Sequence, residues 1–540
     1  MNLLGARPSR RLEWGALGLI VALFLGLGSR QLGRPGLAHA ESYDPSYGME
    51  LALDLPPTRT DWSLTLAGRK WPLRVQHPYD FCAFDVYWSA LAFKAAGVGV
   101  GVLRLSELIL SAATLVVLCL LCRSWLGWPA ALGAGLLLAV NPAVLLMSRI
   151  AYWAVELQLA LPAVAALALL SAWQRTRRAR ALYAGAFVWG FSTCVTTKSA
   201  AFILAYPLLY LVLVPRKDYP SRRQAAAAAA CAALGAADFL AYNIARGMPI
   251  LGFMLGALRT PTRAGVDNLA FARNLALRWG QLFGMLDGSF PTEGFRDRLF
   301  PAFFFASFAA LTWRCVFGRP FRGRGFVVLV LCLLPLLLCE TAFTPWALDP
   351  QHVLVLWPFT AVVAAAAVDW IRAEVESRRP GRGAPAAAIL LVLLAGSALR
   401  ADAGYFSRLA ANGGTGPWSG AVTELAAFLD RSGPRETFNL APELQAPVSI
   451  ITGGRVNAIS ISIDEPPARL RRIFEWMATL PEARVLSIPP ANGVPDAVKE
   501  HLEGLRMILR SSGRRLALEK TIADGDETKY LVWRVEKRGP

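Results

Sequence analysis

A carboxylate held at the outer surface of a membrane can take a proton from an acceptor hydroxyl or amine. Cations beside it can stabilise a departing phosphate. This sequence offers residues for both tasks. Asp44 lies in Glu41-Ser-Tyr-Asp44-Pro-Ser-Tyr47-Gly48, directly after the first apolar run, and opens a long polar stretch. Arg149 and Lys198 stand at the ends of later apolar runs, in short turns that hold no other positive charge. Glu156 lies early in the run that follows Arg149. An ionisable group at such a depth is costly, which points to function or to pairing, and Arg149 is the partner in reach. Each residue has an ordinary alternative: a loop aspartate for Asp44, and cations extended to the lipid headgroups for Arg149 and Lys198. His77 and Asp85 read as structural loop residues. The external segments hold no clustered His or Asp set for a metal, and the sequence calls for no cofactor.

These residues need a scaffold, and the composition says which kind. The chain has 540 residues, 55% of them hydrophobic, and a mean hydropathy of +0.41. Soluble domains are about 45–50% apolar even with glycine counted. The excess is gathered in runs near 14–28, 103–122, 130–147, 155–172, 181–197, 200–215, 224–244, 301–317, 325–344, 353–371 and 385–400. Each approaches the roughly 20 residues that cross a bilayer as a helix. The expected fold is therefore mainly α, a polytopic membrane protein of about eleven spans.

The net charge of +18 does not make this a nucleic-acid binder, because the basic residues are not pooled in one patch. They sit between apolar runs, as Arg175, Arg177, Arg178 and Arg180, then Arg216, Lys217, Arg222 and Arg223. The positive-inside rule puts these clusters in the cytoplasm. An odd number of spans then leaves the N-terminus cytoplasmic and the C-terminal region external, on the same face as Asp44. Ala38-His39-Ala40 resembles a signal-peptidase site, but Arg30, Arg34 and Pro35 separate it from the apolar run, so a retained first helix fits better. None of the eight cysteines lies in the polar C-terminal region, and Cys119-x-x-Cys122 has no second pair, so no disulfide framework or metal site follows.

The transmembrane region covers 1–400, with external loops at 29–99 and 243–300. In the first loop, 62–75 alternates around an Ala67-Gly68-Arg69-Lys70 turn and predicts a hairpin. Residues 78–96 carry aromatics at helical spacing, which suits a helix at the interface or one packed on protein. Residues 268–286 predict an amphipathic helix in the second loop. The segment 401–540 predicts a small α/β domain. Its expected helices are 418–430, 467–478 and 496–510. Its expected strands are 437–440, 448–452, 456–461, 485–488, 516–520 and 530–535.

Several short motifs, taken in order, resemble those of the GT-C glycosyltransferases, and particularly of glycosyltransferase family 39, with the aminoarabinose transferases and protein O-mannosyltransferases. Asp44 matches the first residue of that family's Asp-Glu pair in the first external loop, and Pro45 stands where the Glu would be. Gly99-Val-Gly-Val-Leu-Arg104-Leu-Ser resembles the start of its second span. Asn141-Pro142 followed by Ser148-Arg149 resembles its Pro-then-Ser-Arg segment, and Glu156 matches an acidic residue downstream. Thr196-Thr197-Lys198 resembles its Thr-Lys, and Gln351-His352 through Pro358 stands where the family often has Arg-Tyr and a later Pro.

The resemblance covers roughly 14–400. It implies a membrane transferase that takes a sugar from a polyprenyl-phosphate donor and passes it, with inversion, to an external glycolipid, glycan or protein. It implies Asp44 as base, Glu156 as a second acid or orienting group, and Lys198 and Arg149 as phosphate contacts, with no required metal. His352 reads as a contact to the donor headgroup or as a helix cap, the cap being favoured. The expected place is a bacterial inner membrane with a periplasmic C-terminal domain. A polysaccharide polymerase or ligase is the first rival, and such proteins concentrate their charged groups in one large late loop. A transporter or flippase is the second, and that class expects polar residues near the bilayer midplane.

Overall fold

The computed structural model describes residues 10–56, 62–74, 83–150, 154–196, 200–262, 265–292, 295–344, 347–414, 418–433, 435–440, 442–461, 465–489 and 496–538. His77 and Lys198 lie outside the described residues, as does the side chain of Glu156.

The chain opens with α1 (Arg10–Gly28). Where the sequence reads as an open polar loop, a helix forms instead: α2 (His39–Ala52) carries Asp44 and Pro45 inside it. The expected hairpin is present as β1 (Trp62–Leu66) and β2 (Arg69–Arg74), joined antiparallel. Ala67 and Gly68 both have positive φ, the geometry whose twist suits a two-residue hairpin turn. Next come α3 (Phe84–Ala96), α4 (Val100–Trp125), α5 (Trp128–Ala139), α6 (Pro142–Met147), α7 (Ala154–Thr176), α8 (Ala179–Phe191), α9 (Ala200–Leu213), α10 (Arg222–Gly235), α11 (Ala237–Ala245) and α12 (Pro249–Gly256). The amphipathic helix of the second loop is α13 (Phe271–Asp287), followed by α14 (Ser289–Thr292), α15 (Leu299–Phe317), α16 (Arg324–Thr341), α17 (Trp357–Arg378) and α18 (Gly383–Asn412).

Each apolar run of the sequence carries helix. Among the described residues, seven helices are long and apolar enough to cross a membrane, and α10 with α11, bent by 70°, makes up to eight. The remaining runs are short or broken, for local reasons. The run 130–147 was expected to be continuous, but it breaks at Asn141-Pro142. Proline has no N–H to give inside a helix and is accepted at its first turn. Asn141 Oδ1 caps the new helix, accepting from the Val144 amide at 3.1 Å. The run 181–197 ends its α-helix at Phe191 and tightens into a 3-10 turn at Ser192–Cys194.

Two compact units are present. The first comprises Met1–Arg30, Arg59–Asp85 and Leu105–Ser407. Its centre is α17, whose first turns are buried without a break from Trp357 to Val368. The small residues Ala364–Ala367 let neighbours approach closely, and Gly133 of α5 faces Ala365.

The second unit comprises Gln31–Thr58, Val86–Arg104 and Arg408–Pro540. The sequence placed the domain boundary at 401. The helix α18 runs past it unbroken to Asn412, where Gly413 and Gly414 take positive φ and end it. Beyond lie α19 (Ala421–Arg431), β3 (Glu436–Asn439), α20 (Gln445–Ile451), β4 (Ile459–Ser460), α21 (Pro467–Thr479), β5 (Ala483–Ser487), α22 (Asp496–Ser511), β6 (Arg514–Asp524) and β7 (Glu527–Lys537). The sheet order is β4-β3-β5-β7-β6, parallel on the β4-β3-β5 side and antiparallel through β7. Adjacent residues of β5 point to opposite faces. Val485 joins Phe474, Met477 and Leu505 under α21 and α22. Leu486 joins Leu425 and Val448 under α19 and α20.

The expected strand at 448–452 is in fact α20. Its β-branched residues suggested a strand, but Ala446–Ile450 are all buried and fill space between helices, and tertiary packing overrides the local preference. The expected strand at 456–461 shrinks to Ile459–Ser460.

In this sheet Arg484 is almost fully buried and donates Nε to Glu519 Oε2 at 2.9 Å and Nη2 to Oε1 at 3.0 Å. That hydrogen bonding holds the Glu519 carboxyl below its ordinary range, against the opposing effect of burial. A depressed folded pKa stabilises above the unfolded value and loses that contribution as pH falls through the folded one. Glu519→Gln is therefore expected to flatten the acid side of the melting-temperature profile, below the ordinary carboxylate pKa.

Candidate active site

The candidate base stands on α2, and two features of the second unit fix that helix. The first is a buried ion pair. Glu41 and Arg104 are both fully buried. Arg104 Nε donates to Glu41 Oε1 at 2.6 Å and Nη2 to Oε2 at 2.9 Å. Nη1 donates to the carbonyls of Leu32 at 2.9 Å and Pro35 at 2.8 Å, and Nη2 to that of Gly36 at 3.1 Å. An arginine has five N–H groups in a rigid fork, and these bonds use the whole set. The clamp ties the start of α4 to the approach to α2 and to its first turn. The second feature is Gly48. A Cβ there would collide with Ser89 Oγ and the Val86 carbonyl, so glycine lets α2 lie directly on α3.

Asp44 follows Glu41 by one turn and is half-buried. Beside it His39, Tyr43 and Tyr47 form an edge-to-face ladder, with centroids 5.3 and 5.5 Å apart. Pro45 removes an amide that would bond the Glu41 carbonyl within the helix. No second carboxylate follows Asp44 at position 45. The nearest in sequence is Glu41, and both its oxygens are engaged by Arg104.

The other candidates stand in the first unit. Arg149 is fully buried, with its guanidinium 5.1 Å from the centre of the Phe406 ring. Its charge is held inside the protein, so the alternative of a cation extended to the headgroups does not apply. His352 was expected to cap a helix, and it does not. It sits inside the 3-10 turn Pro350–Leu356, and that turn separates it from the start of α17, whose N-cap is Leu356. Its Nδ1 lies 3.0 Å from Arg278 Nη2 instead. Glu156 is on the first turn of α7, and Lys198 falls outside the described residues.

Asp85, expected to be a structural loop residue, is buried at the start of α3. Gln158 Nε2 donates to Asp85 Oδ1 at 2.9 Å and to Glu107 Oε2 at 2.9 Å, so one amide serves two buried carboxyls. Burial pushes the Asp85 carboxyl up to about 6, against the opposing effect of the Gln158 hydrogen bond. A raised folded pKa stabilises below the unfolded value and loses that contribution as pH rises through the folded one. Between about pH 4, the ordinary carboxylate range, and about pH 6, the wild type is expected to lose melting temperature relative to Asp85→Asn. Parallel melts across that window in detergent check the sign.

The sequence reading passed over Glu41, Glu107, Gln158 and Arg278 as partners. The usable signal was their setting. Arg104 and Glu107 lie in one apolar run, where charged side chains persist when they are paired.

No family model matches the sequence, and no curated protein is recognisably similar to it. Solved structures do match. The structure of ArnT from Cupriavidus metallidurans bound to undecaprenyl phosphate is similar with a TM-score of 0.65 and 12% identity, over 96% of this chain and 98% of that one. The apo state of the same protein gives a TM-score of 0.61 and 13% identity, over the same shares. This chain is thus a polytopic membrane protein with the fold of ArnT, the GT-C fold.

Proposed function

We propose that this protein is an integral-membrane glycosyltransferase that moves a sugar from a polyprenyl-phosphate donor to an external acceptor, with inversion. The observation that carries the reading is the match over nearly the full length of both chains to a protein whose structure holds undecaprenyl phosphate. In this reading Asp44 takes the proton from the acceptor hydroxyl or amine. The acceptor atom then bonds to the anomeric carbon as the bond from that carbon to the phosphate oxygen breaks. Polyprenyl phosphate leaves with the electron pair, and a single displacement inverts the centre. Lys198, Arg149 and His352 contact the phosphate. Glu156 is a second acid or an orienting group. No metal is invoked.

The test is reconstituted protein supplied with radiolabelled polyprenyl-phosphate sugars and a panel of glycolipid, glycan and protein acceptors. Transfer with release of polyprenyl phosphate is expected. Lys198→Ala is expected to weaken donor binding by about 1.5–3 kcal/mol, the worth of a charge-assisted contact, and to change the chemical step less. The proposed setting is a bacterial inner membrane, with the N-terminus cytoplasmic and the C-terminal domain periplasmic. Reporter fusions after Arg400 and within 175–180 check it, and external activity at 175–180 overturns the assignment.

A further inference from the structure

The arrangement that invites a further reading joins α13 to the turn before α17, both in the first unit. Arg278 is fully buried. Its Nε donates to the Thr341 carbonyl at 2.8 Å. Nη1 donates to Gln281 Oε1 at 2.6 Å and to the Asp349 carbonyl at 2.7 Å. Gln281 Nε2 in turn donates to the Leu348 carbonyl at 2.7 Å. The guanidinium is thereby locked in plane and rotation, with Nη2 aimed at His352 Nδ1, 3.0 Å away.

That last bond has only one possible direction. A guanidinium has donors and no acceptor, and it keeps its protons throughout the accessible pH range. Nδ1 of His352 must therefore accept through its lone pair. An imidazole whose Nδ1 is so engaged is neutral and carries its proton on Nε2, because the hydrogen bond at one ring nitrogen decides the state of the other. A cation bonded at Nδ1 also draws electron density from the ring and makes Nε2–H a stronger donor. His352 is half-buried.

We propose that Arg278 is a positioning residue that fixes His352 as its Nε2–H tautomer, so that His352 offers a neutral N–H donor to the phosphate oxyanion of the lipid donor. The inference rests on the polyprenyl-phosphate reading above. The stretch 350–358 holds no Lys or Arg, and Arg278 brings a guanidinium to it from a different helix.

The test is nitrogen spectroscopy on protein labelled with 15N-histidine in lipid nanodiscs, with and without undecaprenyl phosphate as probe. The chain has four histidines, so His352→Gln assigns the signal by its loss. The expected spectrum shows an unprotonated Nδ1 and a protonated Nε2 for His352, with the Nε2–H signal shifting when the lipid phosphate is added. Arg278→Lys keeps a donor at Nδ1 and is expected to preserve this state. Arg278→Met is expected to give a mixture of tautomers. A merely structural Arg278 would lower stability without moving the ring proton. Should Arg278→Met fail to fold, the wild-type spectrum still decides. A protonated Nδ1 overturns the inference whatever the lipid does. An Nε2–H signal that ignores lipid phosphate, while the phosphorus spectrum shows that the lipid binds, overturns the role of His352 and leaves the proposed function standing. No binding of lipid phosphate in the phosphorus spectrum overturns the proposed function itself.

Discussion

Asp44→Asn is expected to lower the rate of sugar transfer by about 10²–10⁴, the usual span for loss of a general base, with little change in melting temperature. The two parts of that expectation have different physical sources. Asparagine keeps the size of the side chain and removes its capacity to take a proton. Meanwhile α2 is held from elsewhere, by the bonds of Arg104 to Glu41 and by the close approach of Gly48 to α3. Donor binding is expected to survive, because the phosphate contacts are assigned to other residues. Single-turnover transfer from a radiolabelled polyprenyl-phosphate sugar, with a melt of the same preparation, separates the two parts. Full activity in Asp44→Asn removes the mechanism proposed here and makes Glu156 the next base to test.

Arg104→Met is expected to have the largest effect on stability. Both members of the Arg104–Glu41 pair are fully buried, and deleting one member of such a pair costs about 3–5 kcal/mol, because the other charge stays behind uncompensated. The same change takes donors from the carbonyls of Leu32, Pro35 and Gly36. Any protein that still folds is expected to transfer sugar poorly, since the first turn of α2, one turn before Asp44, loses its anchor. The double variant Glu41→Leu/Arg104→Met removes both charges and is expected to be more stable than Arg104→Met alone. Melts of wild type, both single variants and the double give the coupling energy. A double variant as unstable as the sum of the singles would show that the pair is not coupled.

The sequence by itself determined the class of protein, the order of its apolar helices and the boundary character of its polar segments. Those features depend on residues near one another in the chain: runs of apolar side chains, arginines between them, and alternation around Ala67-Gly68-Arg69-Lys70. It also named Asp44 and Arg149 as candidates; Asp44 lies on α2, one turn after the Glu41 held by Arg104, and Arg149 is buried.

It could not determine what contacts them. Local pattern read 41–48 as open loop, although it lies within α2, whose first turn is bonded through Glu41 to Arg104, far along the chain. Local pattern also read 448–452 as strand, although burial among helices of the second unit makes it α20. The four bonds that define the surroundings of the candidate residues are Arg104 to Glu41, Gln158 to Asp85 and to Glu107, and Arg278 to His352. Three of them span more than sixty residues of chain, and the other spans 51. Charged and polar groups in a membrane protein are tolerated where a partner meets them, and the partner is chosen by packing in three dimensions rather than by spacing in the sequence. Spacing alone could therefore name candidates only, and the tertiary structure was needed to say that Glu41 is already engaged, that Arg149 is enclosed, and that His352 is held by Arg278.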